Sequence, residues 1–294
     1  MVIDPHVHLR DFNEKHKETV KHGLEVALDS GVSAVFEMPN TNPPIIDEKT
    51  VKERLELYGQ AKTIDVFCGM YIGLTDDPEQ IRNAVEIHRK YFPLVVGMKL
   101  YAGQSVGNLA VIHPVDQLIV YTTLAQEGYE GVLAVHAEKE CFMNQDAFLP
   151  EFPISHCFAR PPIAEYSSIK DQIDFAKLTR FKGKLHIPHI SCPESVELVN
   201  RSKKLDLDIS CGVCPHHLRY NSSQMSEKNG ILWKINPPLR EPINPTQMLI
   251  LLKQGKIDWI ETDHAPHSLQ EKINHPYCSG IPSLQWWPLF GEYL

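Results

Sequence analysis

The segment MVIDPHVHLRDF places His6 and His8 one residue apart, with Arg10 at the same interval. On a strand, residues two apart share a face. H-x-H is therefore a two-point grip for a metal ion, and a pair of surface histidines at a strand end is the plainer alternative. Arg10, on that face or just beyond it, offers a planar fork that binds a carboxylate through two hydrogen bonds; a surface arginine is its plainer reading. More chemistry-bearing side chains stand at the ends of other apolar segments: Lys99 in GMKLY, His136 in VHAE, His189 in PHIS and Asp263 in ETDHAPH. Lys99 follows LVVGM, a segment that should be buried, and a buried ammonium is costly unless paired or chemically changed. Carbamylation by CO2 is one such change, giving an anion whose two oxygens can bridge two metals. In LHIPHIS, His186 and His189 are three apart and face opposite ways on a strand. Only one can point inward; His189, nearer the C-terminal end, is chosen, and His186 is read as a packing or surface histidine. His216 and His217 are read as wall residues rather than ligands. His16, His22 and His88 fall in helical segments and take no role.

Eight short apolar segments position these groups: MVID, SAVFEMP, IDVFCGMYIG, LVVGMKLY, GVLAVHAE, KLHIPHIS, DISCGVCPHH and IDWIETDHAPH. Most lack polar alternation, as expected of parallel strands covered on both faces. Amphipathic stretches separate them, several opening with Asp, Ser or Pro and closing near Gly. The alternation predicts a (β/α)8 barrel, with a doubly wound sheet as the runner-up. The connections after AVHAE and after CPHH are long. In a barrel, extra length after a strand falls on the C-terminal face, where active sites are built.

The totals exclude other classes. A net charge of -8 without a long Lys/Arg block argues against nucleic acid as the main partner. The segments carry no apolar run of membrane-spanning length and no signal-peptide pattern, so the expected location is cytoplasmic. Seven cysteines, an odd number, suit reduced thiols. Cys211 and Cys214 form C-x-x-C without a second pair, and they are read as core cysteines.

With these residues in view, the sequence resembles the amidohydrolase superfamily, and within it the dihydroorotases. The resemblance runs through DPHVHLRD, MPNT, GMKLY, VHAE, ARPPIAE, HIPHIS, CPHHL, KINPPLRE, TDHAPHSLQEK and GIPSLQ. It implies a (β/α)8 TIM barrel with two zinc ions per chain. His6, His8 and Asp263 would hold the more buried ion and His136 and His189 the more exposed one. Lys99, as N6-carboxylysine, would bridge both. Arg10, Asn40 of MPNT and His267 of DHAPH would bind the substrate carboxylate, and Asn236 of KINPPLR the substrate ring. Asn40 could otherwise be an ordinary turn residue. ARPPIAE is assigned a structural role. Longer family members begin earlier and add a small β-sandwich; here the first strand starts at Met1. The expectation is a single barrel domain, residues 1–294, without the sandwich and with a short or incomplete eighth helix.

The implied reaction is the reversible cyclisation of N-carbamoyl-L-aspartate to L-dihydroorotate in pyrimidine biosynthesis, with Asp263 as base and then acid. The alternatives are another cyclic amidase, of hydantoinase or allantoinase type, and a catalytically silent dihydroorotase-like scaffold subunit. Hydantoinases generally lack the Arg–Asn–His set, and a silent scaffold would be free to lose ligands. As partners, beyond the small-molecule substrate, the resemblance offers a second copy of the chain and aspartate carbamoyltransferase; neither nucleic acid nor membrane is expected.

Overall fold

The apolar segments become eight parallel strands. They are β1 (Ile3–Val7), β2 (Ala34–Glu37), β3 (Phe67–Gly73), β4 (Val95–Tyr101), β5 (Val132–His136), β6 (Lys184–Ile187), β7 (Ile209–Val213) and β8 (Trp259–Ile260). This computed structural model describes residues 1–104, 109–205 and 207–290. The strands pair in chain order. Just past β8, His264 bridges in parallel to Val7 and its carbonyl accepts from His8 N at 2.7 Å, which carries the sheet round to β1. That closure decides between the two architectures: the fold is a (β/α)8 barrel.

Helices lie outside, and their starts follow local chemistry. Thr19 accepts from His22 N before the helix Val20–Asp29, and Asp47 forms a capping box with Thr50 before Glu48–Gln60. Proline opens Pro78–Tyr91, Pro114–Gln126, Pro162–Thr179 and Pro193–Lys203, where its missing N–H has no helical partner to lose. The main core lies between strands and helices, with Met98, Leu100, Leu133 and Val135 packed among Ile81, Val85, Val120 and Ile169. Inside the barrel, Met38, Tyr71 and Ala134, with Phe36, Val96 and Val132, form a smaller plug. Functional side chains sit above that plug.

Three boundaries differ from expectation. The first strand runs to Val7, so His6 lies within it rather than past its end. CPHH is not strand: β7 stops at Val213 and Pro215 opens a short helix, Pro215–Arg219, carrying His216 and His217. The last strand is only Trp259–Ile260. Beyond it come the short helices Leu269–Ile273 and Trp287–Phe290; residues 291–294, where the expected eighth helix would continue, lie outside the described residues. Trp287 Nε1 donates to Asp4 Oδ2 at 2.9 Å, and Leu284 packs with Val7 and Leu9, so this C-terminal segment closes over the start of the barrel. Among the described residues no helix is long and apolar enough to cross a membrane.

Candidate active site

One cavity at the C-terminal face gathers residues from six of the eight strands or the turns that follow them. It is lined by His6, His8, Arg10, Asn40, Lys99, His136, His189, Asn236 and Asp263, together with Tyr101, Ala265, Ser279 and Gly280. Lys99 and His136 arrive on β4 and β5, where the two-residue period alternates them with the core residues Leu100 and Val135. His189 and Asp263 arrive on turns. Their φ values are 44° and 48°, and that of Arg10 is 55°. Left-handed backbone at a residue with a side chain costs roughly 1–3 kcal/mol and tends to gather at functional sites. It explains why alternation misjudges β6. His186 does point into the barrel, buried, with Nδ1 2.9 Å from Ser210 Oγ and Nε2 3.2 Å from Glu261. His189 reaches the cavity because the chain turns after Ile187. The expectation that only one of the two faces inward is corrected; His186 remains a packing histidine, below the cavity rather than lining it.

The nitrogens and oxygens fall into two groups. His6 Nε2 and His8 Nε2 lie 3.4 and 2.9 Å from Asp263 Oδ1. Opposite, His136 Nδ1 and His189 Nε2 are 3.2 Å apart. Two nitrogens bound tetrahedrally to one zinc sit roughly 3.3 Å apart, since each bond is about 2.0–2.1 Å. Both groups have the spacing of ligands around an ion. Asn40 Oδ1 is 2.6 Å from His8 Nδ1; an Nδ1–H donating there leaves Nε2 bare toward Asp263. Burial holds the pKa of all four histidines below the usual value, furthest for His6 and His189. They are held neutral, the form that ligates a metal. Lys99 is fully buried and its Nζ has no hydrogen-bond partner among the described residues; burial lowers its pKa to about 8. An ammonium without a hydrogen-bond partner beside two histidine clusters is out of place as a lone cation, and the donor set of imidazoles and a carboxylate fits divalent metal.

At the outer side, Arg10 Nε donates to Pro266 O at 3.1 Å and one terminal nitrogen lies 3.1 Å from His267 Nε2. His267 does not line the cavity. Its Nε2 is also 3.1 Å from Ser279 O, and a single N–H donated to that carbonyl leaves only a packing contact with Arg10. His267 thus stands behind Arg10 and steadies it. Burial, then Arg10 itself, depresses the His267 pKa. Asn236 Oδ1 lies 3.0 Å from His156 Nε2, at the boundary with a wider outer cavity of about 560 Å³.

Sequence reasoning passed over several supports. Tyr101 follows Lys99 by two residues and shares its face, a signal the period already held. Arg160 and Glu165 of ARPPIAE have the structural role expected. Arg160 pairs with Glu138 at 2.5 Å, and Glu138 stands 3.1 Å from His136 Nε2, off the line of a proper hydrogen bond. Glu165 accepts from Ser191 N and Cys192 N. Cys211 and Cys214 are both buried and unpaired, as core cysteines. Cys214, His216 and His217 cluster, but none of them lines the cavity, and His217 Nε2 donates to Pro237 O at 3.2 Å.

The barrel is shared with solved structures of cyclic amide hydrolases. An L-hydantoinase (dihydropyrimidinase) from Arthrobacter aurescens superposes with TM-score 0.85 at 23% identity, over 97% of this chain and 63% of that one. A dihydroorotase from Saccharomyces cerevisiae, in complex with 5-fluoroorotic acid, gives 0.77 at 20% identity, over 100% and 78%. By sequence the chain is a homologue of proteins named dihydroorotase over nearly its whole length. It is 32% identical to that of Pyrococcus abyssi over 290 residues, 97% of this chain and 59% of the relative, and 32% identical to that of Aeropyrum pernix, over 98% and 63%. The chain thus spans about three fifths of the length of these curated relatives. No family model matches it.

Proposed function

We propose that this chain is a zinc-dependent dihydroorotase, opening L-dihydroorotate to N-carbamoyl-L-aspartate and closing it again in pyrimidine biosynthesis. The observation that carries the reading is the convergence of His6, His8, Lys99, His136, His189 and Asp263 with Arg10 and Asn40 on one cavity. Two zinc ions held by the first six, with Lys99 as carbamate, would lower the pKa of a water and polarise a carbonyl. Forming that carbamate takes one proton from the Lys99 ammonium to free its amine and a second as the amine joins CO2, so the buried cation would become an anion among neutral imidazoles.

The chain's own groups do the rest. Asp263 Oδ1 faces the cavity beside His6 and His8. It accepts a proton from the attacking water and returns it to the ring nitrogen that departs, base and then acid in one turnover. Arg10 binds the substrate carboxylate as a fork and thereby sets which ring carbonyl faces Asp263, which is catalysis by orientation. His267 braces the guanidinium, Asn40 sets the His8 tautomer, and Asn236 borders the ring. The same reading takes residues 1–294 as one cytoplasmic barrel domain with a short eighth helix. It keeps a homodimer and an association with aspartate carbamoyltransferase as its partner arrangements.

Turnover of L-dihydroorotate, hydantoin and allantoin by the purified chain, with metal content measured on the same sample, tests the proposal. Dihydroorotate should be preferred and about two zinc ions found per chain. Preference for hydantoin or allantoin transfers the site to another cyclic amide. Metal without turnover of any of the three indicates a silent scaffold.

A further inference from the structure

Beneath the cavity lies a carboxylate that the reaction above does not use. Glu261 is fully buried on the inner side of the barrel, two residues before Asp263. Its Oε1 accepts from His189 N at 2.6 Å, and its Oε2 lies 3.2 Å from His186 Nε2 and 4.0 Å from His6 Nδ1. His6 Nδ1 has no hydrogen-bond partner among the described residues. Four angstroms is too long for a hydrogen bond, but it is close enough for a buried negative charge to favour a proton on the nearer nitrogen. A proton on Nδ1 leaves His6 Nε2 bare, pointed at Asp263. The bond to His189 N falls on a residue with φ 44°. It anchors the turn that returns the His189 ring to the cavity.

The neighbouring strand is built around this carboxylate. A Cβ at Gly212, on β7, would stand 2.1 Å from Glu261 Oε1 and 2.5 Å from its Cδ. No side chain at 212 is compatible with the present position of Glu261. His186 completes the pocket: with Nδ1 accepting from Ser210 Oγ, its Nε2–H is left to donate to Glu261.

We propose that Glu261 is a positioning residue for the metal-binding histidines. It anchors the His189 turn and biases His6 toward the tautomer with Nε2 bare, and Gly212 is the vacancy that admits it. The inference rests on the reading of these histidines as ligands. Carboxylates behind ligating histidines typically change metal affinity by about 10–100-fold when removed.

The test is titration of the metal-free full chain with Co(II), following its visible absorption, in wild type, E261Q and G212A. Gln keeps an acceptor for His189 N and loses the charge; Ala at 212 displaces the carboxylate without altering it. Both variants should bind Co(II) with a Kd raised about 10–100-fold and with a shifted absorption band. A role confined to stability would lower Tm and leave the band of the bound ion unchanged. E261Q with wild-type Kd and band overturns the proposal whatever its Tm, and if E261Q fails to fold, G212A decides by the same criteria. A wild-type chain that takes up no Co(II) overturns this inference together with the metal reading. One that binds Co(II) but leaves dihydroorotate intact sinks only the functional reading, since the titration does not depend on turnover.

Discussion

Arg10 joins the site's chemistry to its backbone, and its replacement separates the two. Its side chain lines the cavity, is held by Pro266 O, and touches His267, while its carbonyl accepts from Arg54 at 2.9 Å. A buried charge-assisted hydrogen bond is worth roughly 1.5–3 kcal/mol. Arg10→Ala should therefore lower kcat/KM for dihydroorotate at least about tenfold, with part of the loss in kcat because orientation depends on the clamp. A slow side reaction on dihydrouracil, which lacks the carboxylate, should change little. Equal losses on both compounds would mean that Arg10 supports the metal site and does not read the substrate. At this scale the sequence was most informative where chemistry and period agreed. H-x-H on β1 and Lys99 after LVVGM were legible because a strand face and a buried amine each carry a physical rule. The position of His267 behind Arg10 is not legible in the sequence, since it depends on a loop that doubles back past Ser279. Glu261 was hidden for a related reason: only the folded barrel brings the carboxylate just after β8, the amide in the turn after β6 and the β1 imidazole together.

Strands and helices differ in how much support they lend the site. Glu37 on β2 and Arg54 on the helix Glu48–Gln60 form an ion pair with neither side chain exposed, joined by Tyr58 OH at 2.6 Å, and Arg54 passes the linkage on to the Arg10 carbonyl. Truncating one member of such a pair leaves an uncompensated buried charge and costs about 3–5 kcal/mol. Arg54→Ala should lose that much in urea unfolding and raise KM for dihydroorotate; a loss under about 1 kcal/mol would mean that water reaches Glu37. The segment after β8 is held differently. Lys272 Nζ donates to the carbonyls of Lys234 and Gly280 at 2.9 and 2.8 Å, and a neutral amine has the two N–H groups to do so. Burial, then Lys234, lowers its pKa to about 7, with Cys278 acting the other way. A lysine depressed in the folded state is protonated in both states below pH 7. Above that the folded chain sheds its proton first, so stability rises with pH until the unfolded lysine titrates near its ordinary value. The unfolding free energy of wild type minus that of Lys272→Met should climb between pH 7 and 10, by at most about 1.4 kcal/mol per unit. A flat difference would place the ammonium in solvent. Strand order was readable from apolar runs; the ends were not. Pro215 ended β7 before the histidines of CPHH, and β8 shrank to two residues because its partner contacts pass to turn residues such as His264.

Closure of the whole barrel depends on contacts between residues far apart in sequence. From one end, Val7 and Asp4 meet His264, Thr262 and Trp287 from the other. The proposed ligands repeat this arrangement: His6 and His8 come from the first strand and its end, Lys99 and His136 from β4 and β5, and His189 and Asp263 from turns after β6 and β8. Ions bound by this set would bind the folded chain alone, since the unfolded chain cannot assemble ligands separated by more than half its length. Any ligand with that preference raises stability by RT ln(1 + [L]/Kd), about 4 kcal/mol at a thousandfold excess over Kd. Chelator-treated protein should therefore melt well below the zinc-loaded form, and added zinc should restore the higher Tm. Lys99→Ala, without the bridge, should show a much smaller zinc-dependent rise while its metal-free Tm stays close to that of the metal-free wild type, because an ammonium buried without a hydrogen-bond partner contributes little stability of its own. Equal melting of chelated and zinc-loaded wild type would remove the ions from the fold. A full zinc response in Lys99→Ala would keep the ions and remove the bridge.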